Sequence, residues 1–176
     1  WIFAFQVRQW IDKIIKTINS SVFSQANDSD TLKGMGTTLC IAIFFRERIY
    51  VANIGDSRCY ILINEDAKQI TRDQTYVEYL ASYKEIKEEE KLTSKDRHAL
   101  MNFIGQKKSV DYELKVLKNN RKTILLCSDG LYNNATNKQI SSVLSSQERL
   151  DQKISSLIGV ANSNGGTDNI AISLWE

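Results

Sequence analysis

Apolar residues recur at three- and four-residue steps through the first part of the chain. The positions with this spacing are Phe3, Val7, Trp10, Ile11, Ile14, Ile18 and Val22. Side chains three or four residues apart share one face of an α-helix, so the pattern predicts a long amphipathic helix. The helix is expected to end near the polar stretch 24–30. We expect Trp1 and Trp10 to anchor it in the core.

The rest of the chain contains groups of β-rich runs and groups of helical stretches. Three β-rich runs, 37–45, 48–54 and 58–63, are separated by short turns and predict an antiparallel meander. The later predicted elements are a charged helix over 75–91, strands over 112–117 and 122–128, helices over 137–146 and 148–161, and a strand over 169–175. Helices and strands segregate along the chain, which predicts an α+β fold with antiparallel sheet packed against helices.

Length and charge limit the class of protein. The chain has 176 residues, 42% of them hydrophobic, and its net charge is only +2. This balance is typical of one globular domain, and no linker or repeat marks a boundary, so we expect residues 1–176 to form a single domain. The low charge excludes a nucleic-acid binder held by a basic surface. The longest apolar run, 39–45, is too short for a membrane span.

The three cysteines, Cys40, Cys59 and Cys127, all lie in apolar runs and have no Cys-x-x-Cys spacing. Their odd number and their setting argue against a disulfide framework and against a zinc site. We interpret them as buried, reduced thiols, which indicates a cytoplasmic protein.

Three aspartates stand beside glycines at the ends of apolar strands. Asp56 follows Gly55, Asp129 precedes Gly130, and Asp168 comes shortly before the final strand. If the strands that end at 127 and begin at 169 are antiparallel, Asp129 and Asp168 converge at one sheet edge. Carboxylates gathered without a histidine or thiolate suit a hard cation, Mg²⁺ or Mn²⁺.

Each aspartate also has a purely structural interpretation. Gly-Asp at a hairpin is most often turn chemistry, which applies to Asp56. Asp129 can be the N-cap of a short helical turn, and Asp168 with Asn169 can be another turn signal. Taken one at a time, these interpretations carry at least as much weight as a ligand role. The combination of three such sites favours function.

Four motifs in order resemble those of the metal-dependent type 2C protein serine/threonine phosphatases, in particular their bacterial branch. The motifs are Gly36-Thr37-Thr38-Leu39, Ala52-Asn53-Ile54-Gly55-Asp56-Ser57-Arg58, Leu126-Cys127-Ser128-Asp129-Gly130-Leu131 and Gly165-Gly166-Thr167-Asp168-Asn169-Ile170. The resemblance implies an antiparallel β-sandwich flanked by helices in four α-β-β-α layers. It also implies a site with two Mn²⁺ or Mg²⁺ ions at one end of the sandwich.

The resemblance assigns roles to individual residues. It implies that Asp129 and Asp168 ligate one metal, with Gly130 and Asn169 as their neighbours, and that Asp56 helps to hold a third ion. The position four residues after Asp129 is often acidic in the family but is Asn133 here, so a third site is expected to be weak. No catalytic side chain beyond the metal ligands is visible in the sequence.

The implied activity is hydrolysis of phosphoserine and phosphothreonine in proteins by a metal-activated water, without a phospho-enzyme. The implied partners are phosphorylated protein substrates and a cognate serine/threonine kinase, with no nucleic acid and no membrane span.

Several features depart from the family pattern. The Asp-Gly whose aspartate bridges both metals and the arginine that grips phosphate are not in this chain. Gln74 replaces a histidine, and His98 stands where asparagine is usual and is interpreted as a surface residue. We therefore expect residues 1–176 to be the C-terminal two-thirds of a catalytic domain, and to be less active alone. A catalytically inactive interaction or regulatory module is the alternative that the sequence leaves open, and fusion to a sensor domain is another.

Overall fold

The computed structural model describes residues 2–83, 85–87, 90, 94–96, 98–120 and 122–176. In chain order the elements are α1 (Ile2–Asp28), a 3₁₀ turn (Asp30–Leu32), β1 (Leu39–Phe45), β2 (Arg48–Ile54), β3 (Arg58–Ile63), β4 (Asp66–Gln69), α2 (Tyr76–Ser82), β5 (Glu113–Lys118), β6 (Ile124–Cys127), α3 (Asp129–Tyr132), α4 (Asn137–Ser145), α5 (Leu150–Ser163) and β7 (Ile172–Trp175). These elements form two compact units, a helical unit (1–39 and 74–112) and a sheet unit (40–73 and 113–176).

The sheet unit contains two sheets. One has the strand order β1-β2-β5 and the other has the order β4-β3-β6-β7. The pairs β2–β5, β3–β4, β3–β6 and β6–β7 are all antiparallel. With helices packed against one sheet, this arrangement confirms the predicted α+β class of antiparallel sheets flanked by helices.

Two apolar clusters fill the sheet unit. Residues from both sheets form the first, around the buried side chains Ile49, Val51, Cys59, Ile61 and Ile124. The second joins the outer face of the four-stranded sheet to α4 and α5, around Tyr60, Leu125, Cys127, Leu131, Ile140, Leu144 and Leu157. Because strand side chains alternate between faces, neighbouring residues of β3 and β6 supply both clusters.

The predicted meander is wrong at its third strand. The bounds of β2 and β3 agree with the sequence prediction, but β3 pairs with β4 and β6 in the other sheet instead of with β2. Both strands present apolar residues to the same cluster, so they face each other across the sandwich. The short strand β4 was not predicted. Only two residues, Asn64 and Glu65, link it to β3, and both have a positive φ, as a tight hairpin requires.

In the helical unit, α1 buries a narrower stripe than the apolar pattern predicts. The buried positions are Val7, Ile11, Ile15, Asn19 and Ala26. Trp10 is 57% exposed and Phe3 is 49% exposed, so the expectation that Trp10 anchors the core is wrong. A helix turns about 100° per residue, which places Trp10 beside the buried stripe instead of within it. Trp1 lies outside the described residues.

The predicted charged helix is shorter than expected. Helix α2 begins after Thr75, whose hydroxyl accepts a hydrogen bond from the backbone N–H of Glu78, and it ends at Ser82. Residues 84, 88, 89 and 91 of the predicted helix lie outside the described part of the chain. None of the helices formed by the described residues has the length and apolar character needed to cross a membrane.

The three cysteines are free thiols, as predicted; Cys59 and Cys127 are buried, whereas Cys40 is only half-buried. Burial raises the pKa of Cys40 and of Cys127 to about 12, and it also raises the pKa of Cys59. A thiol with a raised pKa stays protonated and unreactive near neutral pH, which agrees with a structural role.

Candidate metal centre

Asp129 and Asp168 lie at the same edge of the four-stranded sheet. Cys127 at the end of β6 is opposite Ile172 at the start of β7. One step further, the backbone N–H of Ser128 donates to the carbonyl of Ala171 at 3.0 Å. Antiparallel pairing therefore brings the turn after β6 beside the turn before β7, as the sequence predicted. We call Ser128, Asp129, Gly130, Asp168 and Asn169 the paired-aspartate edge.

Gly130 allows the two turns of this edge to touch. A Cβ atom added to Gly130 would lie 2.2 Å from the carbonyl oxygen of Asn169 and 3.2 Å from that of Asp168. Ser128 adds two side-chain bonds to the facing turn, because its hydroxyl donates to the carbonyl of Asn169 at 3.2 Å and accepts from the N–H of Ala171 at 3.0 Å. The backbone carrying Asp168 is thus fixed directly against the start of α3.

The two aspartates of this edge are accessible. Asp129 is half-buried as the first residue of α3, and Asp168 is exposed. One carboxylate oxygen of Asp168 accepts a hydrogen bond of 2.6 Å from the N–H of Asn169. Asp168 and Asn169 also line a surface pocket. The N-cap of α3 is Ser128 rather than Asp129, so the structural interpretation of Asp129 as an N-cap does not hold.

A buried asparagine that sequence reasoning missed connects the same two turns. Asn134 follows α3 and is only 8% exposed. Its amide nitrogen donates to the carbonyl of Gly130 and to the hydroxyl of Thr167, both at 3.0 Å. Its own backbone carbonyl accepts from the side chain of Asn164 at 2.8 Å. Nothing in the local pattern distinguishes Asn134 from its exposed neighbour Asn133.

The Asp56 turn (residues 55–58) is constructed differently. Gly55 has a φ of 94°, which favours glycine, and Asp56 is 9% exposed. The hydroxyl of Tyr132, the last residue of α3, donates to the backbone carbonyl of Asp56 at 2.9 Å. Burial and then the charge of Asp56 raise the pKa of Tyr132, so this hydroxyl remains a donor.

The side chain of Arg58 stabilises the Asp56 turn. Its guanidinium forms a forked pair with Asp73, with Nε 3.0 Å from Oδ1 and Nη2 2.7 Å from Oδ2. Nη1 donates to the hydroxyl of Tyr60, and the guanidinium lies 3.4 Å from the ring centre of Tyr132. Burial on its own lowers the pKa of Arg58, but the bond to Asp73 and the nearby charges raise it overall. No sequence pattern indicated this pairing.

The remaining residues singled out in the sequence lie apart from these contacts. Asn133 is exposed at the end of α3, where it presents no acidic group. His98 is also exposed, in agreement with its interpretation as a surface residue. The side chain of Gln74, which replaces a histidine, accepts a hydrogen bond from the amide of Asn102 at 2.7 Å.

The donor set fits a hard cation at the paired-aspartate edge. The two aspartates supply carboxylate oxygens, the ligands that Mg²⁺ and Mn²⁺ prefer. Over the part of the chain that the structure describes, no three His, Cys, Asp or Glu side chains form a group able to hold a metal. Asp56 therefore does not join Asp129 and Asp168 in such a group.

Comparison with known proteins finds relatives along nearly the whole chain. The profile of the family described as protein phosphatase 2C matches residues 3–171. The chain is 34% identical over 174 residues to a serine/threonine phosphatase of Listeria innocua, covering 98% of this chain and 69% of the relative. It is 32% identical over 171 residues to the protein phosphatase PhpP of Streptococcus pneumoniae, covering 96% and 69%.

Solved structures give the same result. The chain is similar to a serine/threonine phosphatase from Staphylococcus aureus with a TM-score of 0.91 and 30% identity, covering 97% of this chain and 67% of the other. It is similar to the serine/threonine phosphatase of S. agalactiae, also with a TM-score of 0.91, at 32% identity over 96% of this chain and 70% of the other.

Proposed function

Since the chain belongs to the protein phosphatase 2C family and is a serine/threonine protein phosphatase, we propose that Asp129 and Asp168 hold its catalytic metal. The observation that carries the proposal is the contact between their two turns, where Gly130 lies against the backbone of Asn169. Metal dependence is general in this family. Nothing in the fold or the relatives favours the inactive alternative.

We propose Mn²⁺ or Mg²⁺ as the ions, two in number, with a weak third near Asp56. Carboxylate oxygens without nitrogen or sulfur partners support these cations. The third site is weak because Asp56 is nearly buried and because the exposed Asn133 carries no charge. When bound, such cations activate water and neutralise charge on the phosphoryl oxygens.

The described side chains orient this site rather than react with phosphate. Arg58 is engaged with Asp73 and Tyr60, so it holds its turn in place and does not grip a phosphate. The thiols of Cys40 and Cys127 are not nucleophiles, because burial raises the pKa of each to about 12. This supports direct hydrolysis without a phospho-enzyme, as the family resemblance implies.

The remaining assignments are proposals of the same kind. Phosphorylated proteins are the substrate class, and a cognate serine/threonine kinase is a partner that generates them. Residues 1–176 act as the C-terminal two-thirds of one catalytic domain, supported by a family match that spans both compact units. The free cysteines support a cytoplasmic location.

The test is phosphopeptide hydrolysis by the full-length protein in the presence of Mn²⁺. We expect Asp129→Asn to abolish nearly all turnover of phosphoserine and phosphothreonine peptides, since the neutral amide is a poor ligand for a hard cation. Asp151→Asn is the matched control, because Asp151 is an exposed aspartate of α5 that pairs only with Arg149 across 3.2 Å in the described ion pairs.

Three results would overturn the proposal in different ways. Full activity of Asp129→Asn would place the metal on other residues. No turnover by the wild-type protein with Mn²⁺ in excess would instead support the inactive interaction module. Equal losses in Asp129→Asn and Asp151→Asn would show a general charge effect and would also contradict the assignment.

A further inference from the structure

We infer that Asn134 is a positioning residue, which sets the separation of Asp129 and Asp168 and thereby the metal affinity of the site. The inference rests on the proposed metal site. Asn134 is 8% exposed and stands two residues beyond the end of α3, outside the motifs that the sequence singles out.

The side chain of Asn134 contacts both turns of the paired-aspartate edge. Its amide nitrogen donates to the carbonyl of Gly130, the residue after Asp129, at 3.0 Å. The hydroxyl of Thr167, the residue before Asp168, lies 3.0 Å from that nitrogen and 3.2 Å from the amide oxygen. One buried amide thus connects the neighbours of both aspartates.

The loop on the Asp168 side needs such a restraint. It contains Gly165 and Gly166 with φ values of 134° and 54°, and glycine loses more conformational freedom on folding than any other residue. Asn164, at the start of this loop, is tied to the backbone carbonyl of Asn134 at 2.8 Å. Asn134 therefore holds the loop at two points, Asn164 and Thr167, on either side of the glycine pair.

Only an amide of this length satisfies the contacts. The Gly130 carbonyl requires a donor, which a carboxylate does not supply, and an aliphatic side chain would leave both partners without their bond. Residues that orient metal ligands typically change metal affinity 10- to 100-fold when they are removed. A purely structural residue would lower stability and leave the affinity unchanged.

The experiment measures Mn²⁺ binding to the full-length protein by titration calorimetry. We expect Asn134→Ala and Thr167→Val each to weaken binding about tenfold, and the double variant to be no weaker than the single ones, because each removes the same connection. Thr167→Ser keeps the hydroxyl and should bind Mn²⁺ as the wild type does.

Kinetics give a second readout. At saturating Mn²⁺ the kcat of Asn134→Ala should return to within about threefold of wild type, while the Mn²⁺ concentration for half activation rises about tenfold.

Two controls separate this inference from its premises. Ser141→Ala removes an equally buried side chain that binds the N–H of Ala67 and not either aspartate turn, so it should lower stability without changing Mn²⁺ binding. The second control is Asp129→Asn, which should abolish Mn²⁺ binding at this site. If this variant loses binding while Asn134→Ala and Thr167→Val bind Mn²⁺ as wild type, the inference is wrong and the metal site stands. If Asp129→Asn binds Mn²⁺ normally, the proposed site and the inference both fail. Should Asn134→Ala not fold, Thr167→Val, at an exposed position, decides the outcome alone.

Discussion

The Asp56 turn and the paired-aspartate edge both place an aspartate beside a glycine at the end of a strand, yet they hold it by different means. At the Asp56 turn the aspartate is 9% exposed, and side chains from α3, from β3 and from the loop after β4 fix the surrounding chain. At the edge Asp168 is exposed, and the turns are fixed by backbone contact at Gly130 and by the side chains of Ser128 and Asn134. The first region thus buries its aspartate, whereas the second leaves its carboxylates available to a ligand.

The largest difference between the regions is expected in catalysis. Asp168→Asn should lower kcat/KM for a phosphopeptide by at least about 100-fold, because a ligand matters more than the groups that orient it. Asp56→Asn should cost about tenfold or less, since we assign Asp56 only to the proposed weak third ion. Steady-state assays at fixed Mn²⁺ compare the two. Equal losses would remove the distinction between the regions. Asp168 is exposed, so the free energy of unfolding of Asp168→Asn should stay within about 0.5 kcal/mol of wild type.

Backbone contact at the edge can be broken directly. Gly130→Ala should destabilise the protein by about 1–3 kcal/mol and reduce Mn²⁺ binding, because its Cβ would lie 2.2 Å from the carbonyl oxygen of Asn169. Gly159→Ala in α5 is the control. Its Cβ meets nothing within 4 Å, so this variant should gain about 0.5–1 kcal/mol. Denaturant unfolding measures both, and a neutral Gly130→Ala would show that the two turns are not in fixed contact.

Side-chain anchoring of the Asp56 turn can be weakened without removing a charge. Arg58→Lys keeps the charge but loses the fork to Asp73, and it should destabilise the protein by about 1–3 kcal/mol. Arg149→Lys is the matched change at an exposed ion pair and should cost no more than about 0.5 kcal/mol. If urea unfolding gives the same value for both variants, Arg58 does not anchor the turn.

The last prediction concerns the pH dependence of stability and Cys127, which directly precedes the paired-aspartate edge. Burial raises its pKa from 9.0 to about 12. Between these values the unfolded thiol is ionised while the folded thiol keeps its proton, so the unfolded state binds fewer protons and stability falls as the pH rises. The contribution is at most about 1.4 kcal/mol per pH unit. Unfolding of Cys127→Ala between pH 9 and 12 should show a shallower decline than wild type, and an identical slope would contradict this assignment.

The sequence predicted the parts of the candidate site that depend on where the strands begin and end. Asp129 and Asp168 stand at the boundaries of strongly apolar runs, so antiparallel pairing alone brings them to one edge. The bounds of β2 and β3 were also predicted, because a run of β-rich residues is a local feature of the sequence. Which strands pair is a non-local property, and for that reason the transfer of β3 to the second sheet was missed.

The anchoring contacts were beyond sequence reasoning for a related physical cause. Arg58 and Asp73 form a forked pair, and Asn134 bonds to Thr167, but each partner comes from a different turn of the chain. Periodicity detects apolar faces and does not identify the partner of a buried polar group. The same limitation led to the wrong placement of Trp10, since an apolar residue beside a buried stripe has the same spacing as one within it.

The strand order of the four-stranded sheet also has a consequence for how the protein folds. Strand β3 pairs with β6, and the chain between them includes β4, α2 and β5. Closing so long a loop costs chain entropy before any pairing compensates for it, which slows the formation of such contacts. The two aspartate turns meet only after β6 has joined β7. A nascent or refolding chain therefore forms the proposed metal site through long-range assembly and not through local helix formation.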